Sequence, residues 1–166
     1  MRSESVQCAE CHLSIDSKED IGFIGLGLMG YGMAKNICEK GFRLTFLKGR
    51  KADVVADMTK RGASAVNTAK EVAERAAVIL ICVNSSAQVE TIVRGPDGLK
   101  SGLRQGSVII DCSTSDPTST LSLVEELAPF GVEFVDAPLS RTPKEAWEGT
   151  LDTMVGASLE VFEPSI

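Results

Sequence analysis

Three glycines, Gly25, Gly27 and Gly30, stand in the order G-x-G-x-x-G within "IGFIGLGLMGYGMAKNI", Ile21 to Ile37. Where such a run follows a strand and opens a helix, it can hold the pyrophosphate of a dinucleotide. The first glycine permits a tight turn, the second lets the backbone approach the phosphates, and the third lets the helix pack close to the sheet. The helix start then offers free N–H groups and a partial positive charge to an anion. A second group, "FLKGRK" from Phe46 to Lys51, lies about where an acidic residue would bind the ribose 2′-hydroxyl of NAD. Here Lys48, Arg50 and Lys51 supply positive charge, and no acid follows them before Asp53. A 2′-phosphate suits that site, so NADP is the favoured cofactor, with NAD possible. The other reading of the same residues is a solvated basic loop.

These residues need elements to position them, and strand and helix signals alternate along the chain. "DIGFIG" ends a short β-favouring run in glycines. Met29, Met33 and Ile37 follow a helical spacing from Leu28 to Lys40, and Gly41 closes it. Arg43 to Leu47 reads as a strand, Lys51 to Arg61 as a helix, and Ala63–Val66 as a short strand. Thr68 and Glu71 form a capping-box pattern. Ala77 to Val83 is continuously apolar, as a central parallel strand covered on both faces should be. Ser85 and Gln88 suggest the next helix start. "SVIID" is another buried strand, and Asp116 with Pro117 gives an N-cap followed by proline at the first helical position. "VEFVD" and "TLDTMV" read as late strands. The alternation implies an α/β fold of Rossmann type: a doubly wound, mostly parallel sheet with helices on both faces.

The bulk properties agree with this reading. The chain of 166 residues suits one domain with a sizeable core. Its apolar content of 43% is too high for a disordered chain. The net charge of -6 argues against a nucleic-acid or anionic-membrane surface. Residues 1–20 hold no apolar run and only one arginine, so they read as a flexible tail with neither secretory nor mitochondrial character. No stretch is long enough to span a bilayer. Five cysteines, an odd number, with no signal segment favour reduced thiols in a cytoplasmic setting. "CAECH" in the tail has the spacing used for c-type haem attachment, but it reads as an accidental match. Cys8, Cys11 and His12 show no fourth ligand, so no metal site is expected.

The glycine stretch also resembles the start of the β-hydroxyacid dehydrogenases, the family of 3-hydroxyisobutyrate dehydrogenase and tartronate semialdehyde reductase, related to 6-phosphogluconate dehydrogenase. Their pattern G-x-G-x-M-G-x-x-M-A-x-N is matched by Gly25, Gly27, Met29, Gly30, Met33, Ala34 and Asn36. "DCSTSDP", Asp111 to Pro117, is similar to their D-x-S-T-x-x-P. Phe134 to Ala157 is similar to D-A-P-V-S-G-G followed by G-x-x-G-T-L and M-V-G-G. The resemblance implies cofactor contacts at Gly25, Leu26, Gly27, Leu28, Met29 and Gly30, and others at Val83, Asn84 and Thr114. It implies substrate contacts at Ser113, Ser140, Arg141 and Thr142. The implied reaction is hydride transfer between NAD(P) and a small 3-hydroxy acid or its semialdehyde. Capping is the bland alternative for Ser113 and Thr114, which needs the same residue types.

Three features depart from that family pattern. NADP-using relatives usually read N-R-[ST] where Lys48, Gly49 and Arg50 stand here. Arg141 and Thr142 replace two usual glycines; Arg141 either clamps a second acidic group of the substrate or is an exposed surface arginine. The family's helical second domain, with its catalytic lysine in G-x-x-x-K-x-x-x-N, has no counterpart in these 166 residues, and Lys144 does not fit that pattern. Residues 21–166 are therefore expected to form the nucleotide-binding domain of such an enzyme, inactive alone. The competing expectation is a non-catalytic dinucleotide-binding module that senses cofactor or holds a partner.

Overall fold

The structure is a computed structural model that describes residues 20–156. Six strands form one parallel sheet: β1 (Asp20–Ile24), β2 (Arg43–Leu47), β3 (Ser64–Val66), β4 (Ala76–Ile81), β5 (Val108–Asp111) and β6 (Glu133–Asp136). Their order is β3-β2-β1-β4-β5-β6, with every neighbouring pair parallel. The order reverses between β1 and β4, the switch point at which sheets of this kind open a ligand crevice. Helices α1 (Gly30–Glu39), α2 (Ala52–Lys60), α3 (Ala69–Arg75), α4 (Ser86–Arg94) and α5 (Pro117–Leu127) join the strands.

Period-two alternation in the strands divides the core between the two faces. Ile21 and Phe23 of β1 and Leu44 and Phe46 of β2 pack with Val54 and Met58 of α2. Ile24, Ile79, Ile81 and Ile109 point the other way, against Val72, Val89, Val93, Leu123 and Leu127 of α3, α4 and α5. A third cluster, Val78, Val108, Cys112, Val135 and Ala137, lies beside Met33 of α1. Burial on both faces is why the Ala77–Val83 stretch is unbroken by polar residues.

Local chemistry sets several helix starts. Thr68 and Glu71 make the full capping box of α3, and the Asp116 side chain accepts from Thr118 N and Ser119 N ahead of Pro117. The late chain differs from the sequence expectation. "TLDTMV" contributes only Asp152–Thr153 (β8), which pairs antiparallel with Leu139–Ser140 (β7) outside the main sheet. Between them runs α6 (Pro143–Glu148), a short helix with Thr142 and Glu145 as a capping box and proline at its start.

Helix α6 packs on α1 at very close range. A Cβ on Gly32 would lie 2.6 Å from the Ala146 backbone. Asn36 Nδ2 donates to Gly32 O at 2.8 Å, to Ala146 O at 2.9 Å and to Trp147 O at 3.2 Å. Lys35 Nζ also donates to Trp147 O and sits 4.8 Å from the Trp147 ring centroid, while Tyr31 meets that ring edge-on. A helix leaves its last carbonyls without partners of its own, and α1 supplies them here. Asn36→Ala is expected to lower stability by about 1 kcal/mol, since the part-buried Ala146 O loses its donor while Trp147 O keeps Lys35. Urea unfolding reads the loss, and amide exchange should quicken first at 143–150. An unchanged midpoint would show that the clamp contributes nothing.

Candidate functional site

The turn from β1 into α1 owes its shape to two of the three motif glycines. Gly25 has φ +106°, a region that side chains rarely adopt, and a Cβ there would lie 2.1 Å from the Cys82 carbonyl oxygen. A Cβ on Gly30 would lie 2.0 Å from Gly25 O and 3.0 Å from the Phe23 ring. Gly27 is different: a Cβ there would meet nothing within 4 Å, and its φ is not in the left-handed region. Nothing among the described residues requires glycine at 27. The space there is open to a group lying against the backbone.

The backbone around Gly27 is equipped for an anion. Helix α1 has Met29 at its N-cap with no side-chain cap, and no acid in its first turn. The N–H groups of Leu26, Gly27, Leu28 and Met29 have no acceptor among the described residues. Free amides at a helix start attract phosphate. Beneath them Cys82 accepts a hydrogen bond from Gly30 N; burial, and then the Asp111 charge, push its thiol up to about 11. Burial likewise raises Cys112 to about 12. Both therefore stay protonated and uncharged beside the loop.

A cleft of about 330 Å³ opens next to the loop, lined by Ile24, Gly25, Leu26, Leu47, Lys48, Gly49, Val83, Gln88, Thr91 and Ile92. Apolar walls from both sides of the switch point suit an adenine and ribose, and no acid lines them. Lys48 sits on the wall, its Nζ donating to Asn67 Oδ1 at 3.0 Å. Arg50 and Lys51 are exposed just beyond it. The residues present thus fit a dinucleotide whose pyrophosphate lies on the amides of 26–29.

The far side of the crevice is built from the β4 and β5 ends. Val83 N donates to Ser113 Oγ at 3.0 Å, tying the two strand exits together. Ser113 is buried at 2% exposure, and Thr114 is exposed. Asn84 N donates to Gln88 Oε1, which closes the start of α4. The sequence reading missed Asp111 as an organiser. This fully buried carboxylate accepts from Ser113 N at 2.9 Å and Ser115 Oγ at 2.6 Å. The D-x-S-x-S spacing carries that signal, because short hydroxyl and carboxylate side chains bond to nearby backbone in turns. Across the sheet, burial and then Asp111 raise the Asp136 carboxyl above its usual range.

Ser140, Arg141 and Thr142 follow β6 on a separate ledge, not in the cleft wall. Ser140 pairs with Asp152 in the β7–β8 ladder. Arg141 has φ +79°, the one positive φ outside glycine among the described residues, which explains why glycine is usual at that position in the resembling family. Thr142 caps α6, accepting from Lys144 N and closing a capping box with Glu145. Cys8, Cys11, His12 and Ala157 lie outside the described residues. Among the described residues, no group of His, Cys, Asp and Glu side chains could hold a metal, and no helix is long and apolar enough to cross a membrane.

Comparison with known proteins agrees with this geometry. A family model described as the NAD binding domain of 6-phosphogluconate dehydrogenase matches residues 20–165. The 2-(hydroxymethyl)glutarate dehydrogenase of Eubacterium barkeri is 41% identical over 143 residues, covering 86% of this chain and 47% of the relative. The mitochondrial 3-hydroxyisobutyrate dehydrogenase of Mus musculus is 36% identical over 154 residues, covering 93% of this chain and 46% of the relative. The solved structure of Psf3 in complex with NADP+ and 2-OPP superposes with a TM-score of 0.80 at 26% identity, covering 87% of this chain and 51% of that one. The chain thus spans about half the length of the curated relatives it matches. With the family model covering nearly all of it, and with the glycine turn, switch-point cleft and strand order in place, the chain belongs to the family of NAD binding domains of 6-phosphogluconate dehydrogenase.

Proposed function

We propose that this chain is the NADP-binding half of a dehydrogenase that moves a hydride between NADP and a small 3-hydroxy acid or its semialdehyde. The observation that carries the reading is Gly27: a glycine that the described residues do not need, in a run of four amides that find no acceptor among them. The dehydrogenase names of the relatives support the substrate class. When bound, the nicotinamide supplies or accepts the hydride. The chain's own residues do the rest of what this half contributes. The amides of Leu26, Gly27, Leu28 and Met29 hold the pyrophosphate, with Gly25 and Gly30 shaping the turn. Lys48 and Arg50 face the 2′-phosphate. Val83, Asn84 and Thr114 border the nicotinamide end. Ser113 accepts from Val83 N, so its own proton is left to donate toward a substrate carboxylate. Ser140, Arg141 and Thr142 approach the substrate from the ledge after β6. A group that takes the hydroxyl proton is not assigned to any residue of these 166.

Three outcomes test this. NADPH is expected to bind more tightly than NADH at fixed ionic strength. Pairing of the 2′-phosphate with Lys48 and Arg50 is worth on the order of 1–3 kcal/mol, about tenfold or more in affinity. The double variant Lys48→Ala, Arg50→Ala should erase the preference; calorimetric titration of both cofactors decides it, and equal affinities in the parent chain would sink the NADP assignment.

Gly27→Val is expected to abolish cofactor binding and leave the unfolding midpoint in place, because the added side chain enters only the space that the pyrophosphate needs. A folded variant that still binds normally would overturn the loop assignment.

Finally, the 166-residue chain by itself, saturated with NADP+, is expected to give no detectable reduction with a panel of 3-hydroxy acids. General acid–base help alone is typically worth 10²–10⁴-fold, about 3–5 kcal/mol of barrier. Turnover that vanishes on Lys144→Ala would make the short chain a complete enzyme instead.

A further inference from the structure

Arg141 occupies a position where its own stability is a poor reason for an arginine. Its φ of +79° belongs to the region glycine tolerates and other residues populate only under strain. Both flanks hold it there: Ser140 is fixed in the β7–β8 ladder and Thr142 in the cap of α6. Among the described residues the side chain's one ion pair is Nε to Asp152 Oδ2 at 2.6 Å, between groups 49% and 62% exposed. Pairs so open to water contribute little. Glycine would relieve the strain at the loss of only that pair.

The geometry does suit recognition of a second carboxylate. A guanidinium carries five N–H donors in a fixed fork, and its Nη edge matches the two oxygens of a carboxylate. Asp152 engages only Nε, so it orients the group while both Nη nitrogens have no acceptor among the described residues. The ledge offers little other positive charge. Between Ala137 and Gly156 the remaining cation is Lys144, which lies 3.9 Å from Glu148, and Lys35 of α1, which reaches Trp147 O, is paired with Glu39 at 2.8 Å. In a chain of net charge -6, with Asp111 and Asp136 at the neighbouring strand ends, a doubly charged acid needs a dedicated cation.

We propose that Arg141 selects a dicarboxylic 3-hydroxy acid over a monocarboxylic one, by binding the carboxylate remote from the reacting carbon through its Nη edge. This rests on the dehydrogenase reading above and narrows its substrate class. Arg141 is a specificity residue; no proton or hydride passes through it.

The test uses the ¹⁵N-labelled 166-residue chain with saturating NADPH, and repeats without it. The Arg141 Nε–H resonance is identified by its disappearance in Arg141→Gly. Glutarate and isobutyrate, as dicarboxylate and monocarboxylate probes, are titrated at constant ionic strength. Glutarate is expected to shift the Arg141 signal in a saturable way, and Arg141→Gly to weaken glutarate about tenfold or more while changing isobutyrate by less than about twofold. Arg141→Lys should fall between, since lysine keeps the charge but not the fork. Arg141→Gly should melt no lower than the parent, which keeps the comparison between folded proteins. An unmoved Arg141 signal, or equal losses for the two acids, would overturn the assignment. The NADPH titration of the same sample separates the two readings. Normal NADPH binding with an unmoved Arg141 sinks only the substrate inference. Absent NADPH binding with a saturable, Arg141-dependent glutarate response sinks the cofactor reading and upholds Arg141. Loss of both responses sinks both.

Discussion

The turn after β1 crosses the end of β4 so closely that the backbone itself fills the gap, with the Cys82 carbonyl where a Gly25 side chain would stand. Much of the site follows from that crossing. It aims α1 across the sheet with its amides facing outward at the switch point. It brings Gly30 N onto the Cys82 sulfur, and burial holds that thiol neutral beneath the turn. It also leaves Gly27 as the one motif glycine facing empty space. Two glycines thus serve the fold, and the third leaves the backbone open on its outer side.

The far side of the crevice shows the same economy of short side chains. Asp111 is buried with no cationic partner among the described residues, and its oxygens take one amide and one hydroxyl from the next four residues. Local bonds of this kind compensate the burial of a charge. They also hold Ser113 where it meets Val83 N, so the β4 and β5 exits are tied together. Residues singled out for cofactor and substrate are therefore joined to each other through the backbone of the strand ends.

What could be read from the sequence was what local rules encode. The sheet class, the glycine turn, the Thr68–Glu71 box and the Asp116–Pro117 start all rest on patterns within a few residues, and all stand in the structure. Strand ends drift by a residue or two, as with β4, which stops at Ile81 rather than Val83. Helix α6 escaped notice although Thr142, Pro143 and Glu145 spell a helix start, because six residues give no apolar period to detect. The role of Asn36 was out of reach for another reason: its acceptors at Ala146 and Trp147 lie 110 and 111 positions away. Arg141 shows the same limit, since its backbone angle is imposed by a ladder and a cap on either side of it.

The Asn36 clamp makes α1 a gauge of length and phase. One end of the helix is pinned by the glycine turn and the other by α6, with five residues between Gly30 and Asn36. A helix turns about 100° and rises about 1.5 Å per residue. Adding or removing one residue between those points would swing the amide group roughly a quarter-turn off α6 while leaving the nucleotide loop untouched. The ledge that carries Arg141 adjoins α6, so its position is indexed to the glycine turn by the helical repeat itself. Insertions that loops elsewhere in this fold absorb freely have no place inside α1.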